Sequence, residues 1–322
     1  MVVVKKITSA IVKIMREFFL VSALLQGWNL AEEGYKNHGK NYRKKQQWKI
    51  AFHSMLSPAF AVTWFETLKS SAFDAVSGPR SRLYIKPFRT YISIKWNKQR
   101  KLKVIFDTYR FMKLKGDMFS KLLNENASST LTQVVLNEEC SGSLVLGYDD
   151  QFRKEGEVLL SFECEEFGGR VVSVAFSFEE MATNKWVCLV GCVQGHPLNE
   201  VGATKKVQKL MHGIRPNSFI MNSLQELCRN LGCHAIYCVG DSIQSYRKKH
   251  AIHLPWRHGI DFDYDEFWQE VGAKECGKGW FDLPLIATRR EMSELKTKKR
   301  SMYRKRYLML DELSVNISAA IH

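Results

Sequence analysis

Along the first third of the chain, hydrophobic positions recur at steps of three and four, the repeat of an α-helix. Ile7, Ile11, Ile14, Phe18, Val21 and Leu25 fall on one stripe. They predict an amphipathic helix that either docks on the rest of the protein or lies on a membrane surface. Tyr42, Trp48, Phe52 and Met55 mark a second helix over Asn41–Leu56, and Pro58 opens a third over Pro58–Leu68. Gly78-Pro79 breaks the series. The stretch Arg82–Arg110 then sets Tyr84, Phe88, Tyr91, Trp96, Phe106 and Tyr109 among Lys and Arg. Such a mixture can hold single-stranded nucleic acid by stacking and phosphate contact. No nucleic-acid-binding signature accompanies it, and aromatics at helical spacing are more often core, so nucleic acid is not the expected partner.

From Ser128 the period drops to two. Val172, Val174, Phe176 and Phe178 share one face of a strand, with strand-like runs at Glu157–Glu166 before it and Trp186–Gln194 after it. Gly168-Gly169 is a hairpin signal, and the link Glu179–Lys185 is short, so these three strands form a meander. A short helix is expected over Gly202–Lys209. A longer one, Phe219–Leu231, is capped by Asn217 or Ser218 and ended by Gly232. Cys233–Gly240 reads as a strand buried on both faces. A helix between two strands is a crossover, which makes Trp186–Gln194 and Cys233–Gly240 parallel neighbours. A helix over Asp261–Val271, a strand over Trp280–Ile286 and a basic helix over Arg289–Leu313 complete the chain. The fold class is therefore α+β, in three parts: a basic, mostly helical region over 1–120, a mixed-sheet α/β domain over 121–288, and a basic C-terminal helix over 289–322.

Charge sharpens this division. Of the net +15, residues 1–120 carry +16 (23 Lys/Arg, 7 Asp/Glu), residues 121–286 carry −6 (16 and 22) and the tail carries +5 (9 and 4). Segregated basic flanks point to an anionic partner: an anionic membrane surface or an acidic protein. Eight cysteines lack any Cys-x-x-Cys pair and fall mostly in apolar runs, which suits buried thiols in a reducing compartment. Near the N-terminus the longest uncharged stretch, Phe18 to Ala31, is 14 residues, too short to span a bilayer. No small-x-small cleavage site follows it. The expected location is cytoplasmic, peripheral to a membrane surface, rather than secreted. His250, His253 and His258 with Asp261 and Asp263 form the one metal-like grouping. Their spacing matches no zinc motif, and Lys248, Lys249 and Arg257 interrupt them, so no metal is expected.

Several separated segments carry a family resemblance: GCVQG at 191–195, KLMHGIRPN at 209–217, YDEFW at 264–268 with WFDLP at 280–284, and KKRSMYRKRY at 298–307. In that order they resemble the VirK/YbjX family of enterobacterial proteins. The resemblance implies a virulence-associated accessory protein that supports envelope or outer-membrane surface-protein biogenesis, or resistance to antimicrobial peptides, by binding through basic surfaces. Its partner would be an envelope or surface protein. A periplasmic chaperone for a secreted virulence factor is the variant of that idea. The family supplies no catalytic residues, and Asp241–Tyr246 lacks the histidine that the family tends to place after Gly240.

The strand order also resembles the acyl-CoA-dependent N-acyltransferase core of the GCN5-related kind. That resemblance makes acyl-CoA the cofactor and Trp186–Gln194 the splayed strand. It makes Gly213, Ile214, Arg215, Asn217 and Ser218 the phosphate-binding loop at a helix start. Tyr264 would be the general acid, and Glu163 or Glu165 the base towards an amine. The loop departs from the usual Gln/Arg-x-x-Gly-x-Gly/Ala, and Pro216 removes one donor N–H. Against this reading, Tyr264, Phe267 and Trp268 also suit simple core packing.

Overall fold

Helices α1 (Val2–Gly34), α2 (Lys40–Met55), α3 (Pro58–Leu68), α4 (Lys98–Leu114) and the short α5 (Asp117–Ser120) lead into the sheet. They belong to a computed structural model that describes residues 2–73, 81–125, 127–199, 201–247 and 262–321, with side chains of α1 from Ile14 onward. Gly78-Pro79 and the histidines 250, 253 and 258 with Asp261 lie outside the described residues. Asp263 is described, and it caps a helix.

Five strands follow as an antiparallel meander: β1 (Ser129–Val135), β2 (Ser141–Gly147), β3 (Val158–Cys164), β4 (Gly169–Ala182) and β5 (Lys185–Gly195). The meander is two strands longer than the three read from the sequence. A register shift between Thr130 and Thr132 breaks the alternation of β1, and β2 is rich in Gly and Ser, so neither stands out as a strand. The β3–β4 connection is the turn Glu165–Phe167, closed by Gly168 and Gly169 at φ +88° and +101°. After β5 come α6 (Ala203–Leu210), α7 (Pro216–Asn230), β6 (Ala235–Val239), α8 (Tyr264–Glu270), β7 (Lys274–Gly277), β8 (Trp280–Leu283) and α9 (Thr297–Ile321). The sheet order is β1-β2-β3-β4-β5-β6-β8-β7, and every pairing is antiparallel except β5 with β6. The crossover through α7 therefore produces the parallel pair that the helix-between-strands rule predicts.

The element boundaries differ from expectation in three places. Helix α7 starts at Pro216 with Arg215 at the cap position and no side-chain cap, so Asn217 and Ser218 sit inside its first turn. Proline suits that first position because its missing N–H would have had no helical partner. Helix α8 begins at Tyr264, where Asp263 accepts from the Glu266 N–H at 2.8 Å. Helix α9 is displaced towards the C-terminus relative to Arg289–Leu313, and the residues before Thr297 form turns.

Helix α4 holds the edge that β4 exposes where β3 stops. Pairing ends at Val158 with Phe176, leaving Phe178 and Glu180 without a neighbouring strand on that side. Thr108 on α4 meets this edge at Phe178. Its Oγ1 accepts from the Phe178 N–H at 2.9 Å, and its one proton is shared between the Val104 carbonyl at 2.7 Å and the Phe178 carbonyl at 3.0 Å. Asp107 accepts from the Glu180 N–H at 3.1 Å, and Arg100 pairs with the fully buried Glu179. Behind this edge lies a second polar knot. Glu157, buried, pairs with Lys86 and accepts from the Tyr109 hydroxyl at 2.9 Å. On the other side of the sheet region, α7 lies across β3, β4 and β5, with Phe219 against Phe162, and α9 packs on α7 and β1. All eight cysteines are free thiols, and seven are buried, Cys276 being the exposed one.

Strand β5 carries a bulge. Ala175 faces Cys192 while Phe176 faces Val190, which leaves Gly191 as the extra residue. A Cβ there would overlap the Glu155 carbonyl. Gly191→Ala is therefore expected to cost on the order of 1–3 kcal/mol in urea unfolding.

Candidate active site

Past the bulge, β5 parts from β6. The parallel pairing runs only from Val187–Ala235 to Val190–Cys238, while β5 continues to Gly195 bonded to β4 alone. The gap so opened holds a cavity of about 620 Å³. Gln151, Phe152, Glu155, Gln244, Tyr246 and Tyr264 line it, together with the open side of β5 at Cys192–Gly195.

Each polar group in the gap is placed by a different part of the chain. The turn Asp150–Phe152 brings in Glu155, whose N–H donates to the Phe152 carbonyl at 2.8 Å. The segment around Ile92 bridges this turn to the loop after β6. Ile92 N–H donates to the Lys154 carbonyl at 2.6 Å, and Ile94 N–H donates to the Ile243 carbonyl at 2.8 Å. Glu155 is thereby 2% exposed, and Ser245 Oγ donates to its Oε1 at 2.8 Å. Burial pushes the Glu155 carboxyl up to about 8, with the Ser245 hydrogen bond and the charges of Lys154, Lys86 and Arg153 pulling the other way. Gln244 is fully buried, and its Oε1 accepts from the Tyr246 N–H at 2.7 Å. Its Nε2 is buried and has no partner among the described residues.

Tyr264 stands at the first position of α8. Its N–H donates to Asp241 Oδ2 at 3.2 Å, and its hydroxyl donates to the Val193 carbonyl at 3.2 Å. Burial raises its phenol well above the ordinary value, and the nearby Cys192 and Glu155 add to the rise. Tyr264 is thus both a core residue, 3% exposed, and a wall of the cavity.

The other residues singled out from the sequence lie elsewhere. Glu163 faces Arg170 at 3.6 Å, and that arginine also pairs with Asp149 at 2.6 Å. Glu165 is exposed at the head of the turn Glu165–Phe167. Neither lines the gap. Gly213, Ile214, Arg215 and Ser218 border a separate groove of about 960 Å³ against α9. There Arg306 Nε and Nη2 donate to the His212 carbonyl at 3.1 and 2.9 Å, and Arg215 pairs with Glu270. Asn217 alone approaches β5, its Oδ1 lying 3.9 Å from where a Gly195 Cβ would be. The carboxylate that the structure does bring to Tyr264 is Glu155. In sequence it sits in the polar run Arg153-Lys154-Glu155-Gly156-Glu157, which reads as a solvated turn. Its burial comes from residues near 92 and 244, which no local pattern connects to it. Among the described residues no group of three or more His, Cys, Asp or Glu could hold a metal ion.

Fold and site together define an α+β protein with an eight-stranded mixed sheet, opened between two parallel strands over a buried carboxyl and a phenol. The chain belongs to the DUF535 family, described as protein of unknown function, which it matches over residues 39–319. It is 30% identical over 230 residues to an uncharacterized protein of Haemophilus influenzae, covering 71% of this chain and 74% of that one. It is 24% identical over 284 residues to the uncharacterized protein YbjX of Escherichia coli, covering 86% and 82%. The VirK/YbjX resemblance carried by the four segments thus holds over most of the chain. No solved structure matches it.

The raised Glu155 carboxyl gives a pH signature. Between its ordinary value of 4.5 and about 8, the folded chain holds a proton that the unfolded chain has lost. Stability from this group therefore falls as pH rises through that window. Urea unfolding from pH 5 to 8 should show Glu155→Gln losing less stability than the wild type. Parallel curves would mean that the carboxyl ionises normally.

Proposed function

We propose that the chain transfers an acyl group from a thioester donor of the acyl-CoA class to an amine, with the reaction centred in the β5–β6 gap. The single observation that carries this reading is the coincidence there of an unpaired strand edge with Glu155 and Tyr264. Beyond Val190 the backbone of β5 has no β6 partner, and the Tyr264 hydroxyl occupies one carbonyl there, that of Val193. A donor arm containing amides can add to such an edge as an extra strand would. The first turn of α7, beside Asn217, is where a donor's pyrophosphate would meet unbonded helix N–H groups.

The chemistry then needs two proton movements. Glu155 takes a proton from the attacking amine as the nitrogen bonds to the thioester carbonyl carbon. Tyr264 gives a proton to the sulfur as the carbon–sulfur bond breaks, and solvent restores it. The products are an amide and a free thiol. A carboxyl that titrates near 8 lies close to working pH, where a general base is most effective. Glu155 replaces Glu163 and Glu165 in this role. An accessory role at the envelope, through binding by basic surfaces, is supported by the concentration of +16 in residues 1–120. It is compatible with the same chemistry.

Calorimetry and thermal melting with acetyl-CoA and longer acyl-CoAs test the binding step. A saturable shift is expected, and neither heat nor shift at millimolar donor would end the proposal. With an amine acceptor present, mass spectrometry should detect free CoA. Glu155→Gln should slow its release by about 10²–10⁴-fold while leaving the donor's thermal shift in place.

A further inference from the structure

Helix α1 is packed the opposite way round from an ordinary surface helix. Its inward positions are small: Ala23 and Ala31 are fully buried, and a Cβ at Gly27 would come within 3.0 Å of Ile50 and 3.3 Å of Phe65. Its large apolar side chains point out. Ile14, Phe18, Val21 and Leu25 are 66%, 68%, 56% and 61% exposed. The strip continues onto α2, where Trp48 meets Trp28 edge to face at 5.4 Å, and Trp48 and Phe52 are 67% and 55% exposed. Contiguous apolar surface of this extent marks an interaction site.

A quarter turn round α2, at 3.6 residues per turn, the side chains change character. Tyr42, Gln46 and Lys49 face a pocket of about 190 Å³ that Lys86, Arg89, Arg153 and Lys154 also line, and no lining residue is acidic. Lys86 is held by Glu157, whereas Arg89 is exposed and forms no ion pair among the described residues. Past Arg89 the hollow continues to His53 and Lys101. The pKa of His53 is lowered, by burial first and then by the charges of Arg89, Lys49 and Lys98.

We propose that the α1–α2 strip seats in the interface of an anionic bilayer and that the pocket between Lys49, Arg89, Arg153 and Lys154 takes the phosphate of a phospholipid headgroup from that surface. Charge selects this occupant. Helix α2 has four Lys, one Arg and no acidic residue, and a second copy of the chain would bring like charge against like. No helix among the described residues is long and apolar enough to cross a membrane, so attachment is from one side. The proposal rests on none of the chemistry assigned to the β5–β6 gap.

Flotation of the full chain with vesicles tests it, using phosphatidylcholine alone and phosphatidylcholine mixed with phosphatidylglycerol. Binding is expected to the mixed vesicles only. Phe18→Ser with Trp48→Ser should weaken it. Arg89→Ser with Arg153→Ser should weaken it by about 25-fold, since each cation near an anionic surface is worth roughly fivefold. Lys298→Ser with Lys305→Ser removes equal charge from exposed positions on α9, away from both the pocket and the α1–α2 strip, and should weaken it less. Should the Arg153 change lower the melting temperature, Arg89→Ser alone carries the comparison at about fivefold. Equal flotation with both vesicles, no flotation with either, or equal losses in the arginine and lysine pairs would overturn the proposal. So would release from mixed vesicles by millimolar glycerol phosphate, which would reassign the pocket to a soluble phosphate ester.

Discussion

The backbone of Glu155 rests against β5 where Gly191 leaves no side chain, and the geometry of the gap follows from that contact. The turn at 150–156 can close on the sheet only because one residue of β5 is extra and small. The extra residue changes the strand's direction, and the change of direction is what ends its pairing with β6. A regular strand would have continued the parallel ladder and filled the space with backbone hydrogen bonds. Instead the ladder stops after Val190, and the carboxyl that the same turn delivers lies at the fork. Bulge, turn and buried acid form one arrangement, and none of the three is expected without the others.

What could be read from the sequence follows the reach of each signal. Periodicity of two identified β4, and the strand-like runs on either side of it identified β3 and β5; all three are buried along most of their length. The crossover rule gave the parallel β5–β6 pair from element order alone. Tyr264 was singled out only through the acyltransferase resemblance, and its position on the wall of the gap is what the structure adds. Glu155 was not identified, because its environment is assembled from residues near 92, 192 and 244. The stripe on α1 was legible as a stripe, but not its direction. That depended on Gly27, Ala23 and Ala31 being small enough for α2 and α3 to approach the other face. The phosphate-loop residues Gly213–Arg215 were placed by analogy with a strand–loop–helix order, and α9, packed on α7, gives that loop a different neighbour.

Buried charge is concentrated where the helical region meets the sheet. Lys86 with Glu157, and Arg100 with Glu179, each join a residue from before position 101 to one on or next to the meander. Pairs of this kind add little net stability over apolar residues of the same volume, but separating them is costly. They act as registry marks, fixing how the helices sit on the sheet. The loop at Ile92, which ties the two walls of the gap, is fixed with them.

Helix α4 stands in for a strand along β4, and this has a consequence for how the chain can be divided. Thr108 and Asp107 supply by side chain the hydrogen bonds that a neighbouring backbone would otherwise provide. A fragment beginning after α4 would keep every strand yet present a bare edge at Phe178–Glu180, with Glu179 stripped of its counter-ions. Bare edges recruit strands from other molecules. The helical segment therefore works as a built-in chaperone for the meander, and the two must be inherited and expressed as one piece.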